Sequence, residues 1–424
     1  MTKTDQHRGW ISGIRRLAAS AALALAVVPV VVTAHLAQAR TFAVLYTFTG
    51  GADGAPGISP LLRDSKGNLY GTATYGGSSN CQGGCGTVFR LDTTGKLTVL
   101  YSFTGGSDGA SPMGGLLQDA KGNLYGVTKL GGVGSGTVFK LHTTGKLTTL
   151  YRFTGGTDGG VPQTGLLRDA KGNLYGTTEL GGSSNCQEGC GVVFKLDTIG
   201  KLTTLYSFAG GTDGNYPLQG LVQDQAGNFY GTTAYGGGSS NCQGGCGTVF
   251  RLDTTSKETV LYSFTGGTDG ASPWYGHLLR DPAGNLYGDT LSGGGGSCNG
   301  GPFNGCGVVF KVDTTGKETV LYSFTGGRDG GNPYSGVVLD KTGNLYGTAF
   351  FGGDTSCHIF SYPGCGVVFN LDTTGKETVL HRFTGGRDGA YPFSTVLRDK
   401  NGNLYGSTFD GASGYGTVFK ISGI

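Results

Sequence analysis

The four-residue motif Asn-Leu/Phe-Tyr-Gly occurs seven times along the chain, with its tyrosines at Tyr70, Tyr125, Tyr175, Tyr230, Tyr287, Tyr346 and Tyr405. The spacing of 50 to 59 residues is that of a supersecondary repeat, which restricts the chain to solenoids and propellers. A second motif, Gly-Thr/Val-Val-Phe, recurs seven times with Phe89, Phe139, Phe194, Phe250, Phe310, Phe369 and Phe419. A third, Leu-Tyr-x-Phe followed by Thr/Ala-Gly-Gly-x-Asp-Gly, begins at Leu45, Leu100, Leu150, Leu205, Leu261 and Leu321. Its last copy carries His381 in place of tyrosine.

Each repeat reads as four strands, A to D. In the first these are Leu61–Asp64, Asn68–Thr74, Gly86–Asp92 and Lys96–Phe103, the last alternating with Leu97, Val99, Tyr101 and Phe103 on one face. The A–B and C–D connections open with aspartate and close with glycine, the chemistry of tight hairpins. No segment has a helical period. Thr41–Phe48 is a lone strand D, and the chain stops after the strand C at Gly416–Ile421. A repeat split between the two ends closes a ring and leaves only short sheet edges. The expectation is an all-β fold, a seven-bladed β-propeller of four-stranded blades closed by the N-terminal strand completing the last blade, as one domain over residues 40–424. Glycine is abundant, at 86 of 424 residues, but without the collagen period, and 37% hydrophobic against 14% charged residues excludes a disordered chain.

The first 39 residues read as a secretory signal, with Arg8, Arg15 and Arg16 before an apolar run and Ala37-Gln38-Ala39 as the cleavage site. A retained anchor is the alternative; Pro29 and the small-residue site favour cleavage. These residues hold four of the 31 basic and one of the 28 acidic groups, so the remainder has 27 of each. A neutral exported chain has no nucleic-acid footprint. No transmembrane segment is expected once the signal is removed, and the protein is expected to be a monomer.

The repeats Gly-Asn-Leu-Tyr-Gly-Thr-Thr, Gly-Thr-Val-Phe-Lys-Leu and Leu-Tyr-x-Phe-Thr-Gly-Gly-x-Asp-Gly resemble the GloVer tandem repeat of exported bacterial proteins, named for Gloeobacter and Verrucomicrobia. The resemblance covers residues 41–424. It implies a secreted, periplasmic or cell-surface location and no particular activity. Members often carry a C-terminal sorting anchor; here no such anchor precedes Ile424. The Asp-x-x-Gly-Asn-Leu-Tyr core also looks like NHL-type propeller repeats, whereas the Trp-Asp of WD40 repeats is missing.

In such a propeller the D–A and B–C connections share one face. They are long and variable here, so recognition is expected there. All ten cysteines fall in B–C loops, as Cys81/Cys85, Cys186/Cys190, Cys242/Cys246, Cys298/Cys306 and Cys357/Cys365. Five local disulfides are the preferred reading for an exported chain. Metal binding is the alternative, but each loop offers two thiols and only Cys357 has a neighbouring histidine, His358. No metal and no cofactor are expected. Asp53, Asp108, Asp158, Asp213, Asp269, Asp329 and Asp388 recur in every D–A loop. They form either a cation-binding ring or, preferably, caps of their own glycine-rich turns.

Positions that break the repeat are more informative. Five residues after each loop aspartate stand Ile58, Met113, Gln163, Leu218, Trp274, Tyr334 and Phe393, expected to ring one mouth of the central channel. The last three are aromatic, and Tyr275 and His277 lie beside Trp274. Trp274, Tyr275, His277, Tyr334 and Phe393 are therefore the candidate ligand site, suited to sugar rings or other flat, partly apolar ligands; a plain channel plug is the competing role. No catalytic residue is assigned, because G-x-S-x-G, H-E-x-x-H, P-loop and calcium-loop motifs are missing. His142 and His381 read as structural replacements. The functional expectation is a non-enzymatic module binding an extracellular ligand or partner, with polysaccharide as a candidate. The alternatives are an extracellular lyase or hydrolase centred on His277 and a purely structural surface protein.

Overall fold

The computed structural model describes residues 40–424 except 58, 297, 299–303, 360, 361 and 412. The expected signal segment and Ile58 lie outside the described residues. Among the described residues every regular element is a strand. Blade 1 comprises Leu62–Arg63, Leu69–Tyr75, Thr87–Leu91 and Leu97–Ser102, paired antiparallel in chain order. Blades 2 to 6 repeat this over residues 110–152, 167–207, 222–263, 279–323 and 338–382. The seventh blade holds Leu397–Arg398, Leu404–Asp410 and Thr417–Ser422, and Thr41–Thr47 adds its outermost strand with Thr41 opposite Ser422. The molecule is the expected seven-bladed β-propeller, closed by its N-terminal strand. Blade 6 adds a short ribbon, His358–Ile359 against Tyr362–Pro363, that the repeat pattern does not announce.

The motifs are the structural parts. Asp64 closes the first A–B turn by accepting hydrogen bonds from the Asn68 backbone at 2.9 Å, the Asn68 amide at 2.8 Å and the Tyr70 hydroxyl at 3.2 Å. Burial works to raise the Asp64 pKa, but these bonds outweigh it and hold the carboxyl below its usual range. The glycine of Asn-Leu-Tyr-Gly is required by packing. A methyl group on Gly71 would sit 2.6 Å from the Phe89 ring, the phenylalanine of the second motif.

Blades meet through phenylalanines. The one ending each strand D packs edge-to-face on the strand C phenylalanine of the next blade, from Phe48 on Phe89 at 5.3 Å round to Phe383 on Phe419 at 5.3 Å. All these rings are at most 1% exposed, and such a pair contributes about 0.5–1.5 kcal/mol beyond its buried area. A backbone latch reinforces six seams. The N–H groups of Ser111, Val161, Tyr216, Ser272, Asn332 and Tyr391 donate to the carbonyls of Cys85, Ser135, Cys190, Cys246, Cys306 and Cys365 in the preceding blade. The five local disulfides form as expected, with sequence separations of four or eight residues. They shape the loops that carry five of these latches.

Candidate functional site

The loop aspartates are fully engaged. Asp53 accepts from the Tyr46 hydroxyl at 3.0 Å, the Thr49 backbone at 2.9 Å and the Thr49 hydroxyl, and the pattern repeats at Asp108, Asp158, Asp269 and Asp329. At Asp388 the tyrosine's place is taken by His381 Nε2 at 3.1 Å. The ring of carboxylates is thus a set of turn caps. Among the described residues no group of three or more His, Cys, Asp or Glu is arranged to hold a metal ion. The His358 side chain lies outside what is described.

The mouth of the D–A/B–C face is built from two positions in each blade. The first is the residue three before the repeated apolar start of strand A, namely Met113, Gln163, Leu218, Tyr275, Tyr334 and Phe393 in blades 2 to 7. Counting forward from the loop aspartate gives Trp274 in blade 5 instead. The His277–Gly336 bridge settles the register. It places Tyr275 level with Tyr334 and makes Trp274 a one-residue insertion. The second position is five residues past the start of strand B: Thr74, Lys129, Glu179, Ala234, Leu291, Phe350 and Phe409. Phe350 shows how the two positions meet. It touches Tyr334 of its own blade at 5.1 Å and Phe393 of the next at 4.9 Å.

Four of the five expected site residues come together. Tyr334 stacks on Phe393 at 4.7 Å, Phe393 lies 6.0 Å from Tyr275, and Tyr275 lies 5.9 Å from Trp274. All four rings are half-buried. Burial, the larger effect, pushes the Tyr275 phenol up to about 12, with the neighbouring Trp274 indole acting in the opposite direction. The belt runs further than the sequence suggested. Tyr235 meets Trp274 at 6.0 Å and Tyr216 meets Tyr235 at 5.8 Å, while Phe350, Phe351 and Tyr391 back the other end and exposed Phe409 lies 6.5 Å from Phe393. It spans blades 4 to 7.

His277 sits below this belt, at the waist. The equivalent positions are Pro60, Gly115, Gly165, Gly220, Gly336 and Thr395, so it is the largest side chain of that ring. A methyl group on Gly220 would lie 2.3 Å from its Nδ1 and one on Gly165 would lie 3.6 Å from its Cε1. The imidazole therefore lies along the wall of the two preceding blades. Part of it is open to solvent, but protein surrounds it, and burial lowers its pKa and keeps it neutral. Both facts fit a group lining a narrow channel.

Two acidic residues escaped the sequence reading. Glu179 faces the mouth and accepts a hydrogen bond from the amide of Gln163, which is 3% exposed. Burial pushes its carboxyl up, opposed by Lys129 and by the Gln163 bond. Its charge in turn helps raise the phenols of Tyr216, Tyr235 and Tyr275, for which burial is the main cause. Asp289, 1% exposed, lies in the inner wall of blade 5 and accepts the Gly336 N–H at 2.8 Å. Burial pushes its carboxyl up to about 7. Aligning the ends of strand B across the repeats would have revealed Glu179, and aligning their centres Asp289.

Two grooves flank the mouth. One of about 360 Å³ is lined by Tyr235, Asn241, Gln243, Ser272, Trp274 and Asn304. The other, of about 700 Å³, lies between blades 2 and 3; its lining is rich in glycine backbone and includes Ser135, Thr154 and Glu188. The smaller one joins the aromatic belt, and its amides beside Trp274 suit a hydroxyl-rich ligand.

The Gloeobacter/Verrucomicrobia repeat family model matches residues 30–188, 78–303, 169–360 and 295–423, in four overlapping segments. No curated protein sequence matches the chain. Among solved structures, it resembles the extracellular domain of a B. thetaiotaomicron protein described as a one component system. The identity is 17% and the TM-score 0.54, over 90% of this chain and 41% of that one. A second, the extracellular domain of a B. thetaiotaomicron protein described as a hybrid two component system, is 16% identical with a TM-score of 0.50, over 91% of this chain and 42% of that one. The chain thus spans about two fifths of the length of these structures, and the likeness is one of fold.

Proposed function

The chain belongs to the Gloeobacter/Verrucomicrobia repeat family, and we propose that it is an exported binding module that takes a carbohydrate ligand at the mouth of its D–A/B–C face. The observation that carries this reading is the continuous aromatic belt from Tyr216 to Phe409, confined to blades 4–7 of a scaffold whose other parts obey the repeat. Sugar rings present apolar faces that stack on such side chains while their hydroxyls meet amides and carboxylates. Five disulfides and the extracellular domains among its structural relatives support a secreted or periplasmic location, with residues 1–39 removed as a signal. No helix among the described residues is long and apolar enough to cross a membrane.

Trp274 is one of two tryptophans, and the other, Trp10, falls in the signal segment. The fluorescence of residues 40–424 therefore reports on the mouth alone. A panel of soluble polysaccharides and their oligomers is expected to give a saturable change for at least one member. The double variant Tyr334→Ala/Phe393→Ala should weaken it by about ten-fold or more, as the loss of a stacked pair costs about 1–2 kcal/mol. Unchanged affinity in a folded double variant would remove the site from the mouth. A second reading, a lyase or hydrolase, is favoured only by the neutral imidazole of His277 at the channel waist. It requires product in the same mixtures and loss of that product in His277→Ala.

A further inference from the structure

The carbohydrate reading leaves the chemistry of the sugar open, and the polar side of the mouth narrows it. The inference below rests on that reading. Phe350 and Glu179 occupy the same position in blades 6 and 3, and Phe350 meets the inner mouth residue of its own blade and of the next. Glu179 accordingly projects beside Gln163 of its own blade, towards blade 4, where Ala234 leaves the equivalent place small. Blade 4 is where the belt begins, with Tyr216 and Tyr235 in edge-to-face contact. The Glu179 charge is felt at Tyr216, Tyr235 and, across the mouth, Tyr275; Glu188 adds a second negative charge at Tyr216. The nearest cation, Lys129, stands on blade 2, on the side of Glu179 away from the aromatics. It forms no ion pair with Glu179 among the described residues. Gln163 bonds Glu179 through its amide nitrogen, so its Oε1 is turned elsewhere, buried and without a partner.

A carboxylate turned into the mouth, its charge reaching the two tyrosines that begin an aromatic belt running on to Trp274, is an arrangement that recognises ammonium groups. Neutral sugars would use the stacking faces but not the charge. Acidic sugars would meet Glu179 and Glu188 with like charge.

We propose that the mouth selects a glycan bearing a cationic amino group, which Glu179 and the faces of Tyr216, Tyr235 and Trp274 hold together. The Gln163 amide is a positioning group that keeps the carboxylate turned into the mouth.

The test uses Trp274 fluorescence with four hexamers of one chain length: glucosamine, its permanently charged N,N,N-trimethyl form, N-acetylglucosamine and a uronic acid. At about pH 6 the first two should bind about ten-fold more tightly than the N-acetyl form, and the acidic hexamer should bind most weakly. Glu179→Gln should bring the cationic and neutral hexamers to within about two-fold. Lys129→Ala, which removes the competing cation, should strengthen cationic binding about three-fold and keeps the test open if Glu179→Gln does not fold. Equal affinity for cationic and neutral hexamers, or a preference that survives in folded Glu179→Gln, overturns the amino-sugar assignment while leaving a carbohydrate site in place. No response to any hexamer from folded protein overturns both it and the mouth as a glycan site.

Discussion

Asp289 stands where the other blades have Thr72, Val127, Thr177, Thr232, Thr348 and Ser407. In blades 3 and 6 that hydroxyl pairs within the blade and also reaches the next, as Thr177 does to Thr164 and to the Gln219 carbonyl. Asp289 instead takes the Gly336 N–H, and a methyl group on Gly276 would lie 2.5 Å from the Gly336 nitrogen and 2.6 Å from the Asp289 Oδ1, so glycine at 276 follows from this close approach of backbone and carboxylate. Burial sets its pKa at about 7 in the folded protein, well above the 3.8 usual for an aspartate. A raised folded pKa gives stability that is complete below the unfolded value and lost as pH rises through the folded one. Asp289→Asn should therefore melt higher than the wild type at about pH 8 and lose that advantage by about pH 4. The ceiling for the difference is roughly 4 kcal/mol from the shift alone. Equal melting temperatures at both pH values would show that the carboxyl is not strained by burial. Residues of this kind were only partly legible in the sequence. Trp274, Tyr334 and Phe393 were found by counting from a loop landmark, and the extra residue in blade 5 shifted the count by one there. Asp289 sits inside strand B of blade 5 and Glu179 follows directly on strand B of blade 3, and the regularity of those strands masks both.

The strands themselves were legible because their punctuation is explicit: aspartate opens and glycine closes each hairpin, and alternation marks strand D. What the pattern did not reveal is the latch between blades. Ser111, Val161, Tyr216, Ser272, Asn332 and Tyr391 all precede proline, which ordinarily holds the preceding residue extended with negative φ. All six have φ between 52° and 59° instead. The inter-blade hydrogen bond from each of their N–H groups is the interaction that offsets this strain. Val161 is the most strained by type, since a β-branched side chain at φ 58° crowds its own backbone. Val161→Gly keeps the N–H and removes the crowding. It is expected to raise stability by about 0.5–1 kcal/mol in chemical denaturation, net of the extra freedom glycine gives the unfolded chain. A loss of stability would mean that the valine side chain contributes more by packing than its backbone costs.

Closure joins the two ends of the chain into one ring, so a local charge at any seam acts on the stability of the whole. Phe42 of the closing strand stacks on His381 at 3.7 Å, which explains why the last copy of the third motif exchanges tyrosine for histidine. Three other seams carry a different substitution. Leu97, Leu147 and Leu202 begin strand D in blades 1 to 3, but Glu258, Glu318 and Glu377 take that place in blades 4 to 6. Burial, then the charges of Asp213, Asp269 and Asp329 respectively, push these carboxyls up to about 7, with Arg382 opposing at Glu377. Their folded pKa values are raised, so their contribution is complete below about pH 4.5 and is lost as pH rises through about 7. The turn aspartates behave oppositely. Asp64, Asp119, Asp169, Asp224, Asp281, Asp340 and Asp399 are held below 3.8, and their stabilisation is lost as pH falls through that range. Neutral His277 works against acid as well, but it is one group facing three glutamates and Asp289. The melting temperature should therefore peak between about pH 4.5 and 6 and decline towards pH 8, on the acid side of neutrality. The triple variant Glu258→Gln/Glu318→Gln/Glu377→Gln should flatten most of the decline between about pH 5 and 8 and leave the fall below about pH 4 unchanged, because the turn aspartates remain. Because these glutamates are half-exposed, solvent screening makes each effect smaller than its shift implies. A wild-type melting temperature level from pH 5 to 8 would show that the three carboxyls ionise at the seams without cost.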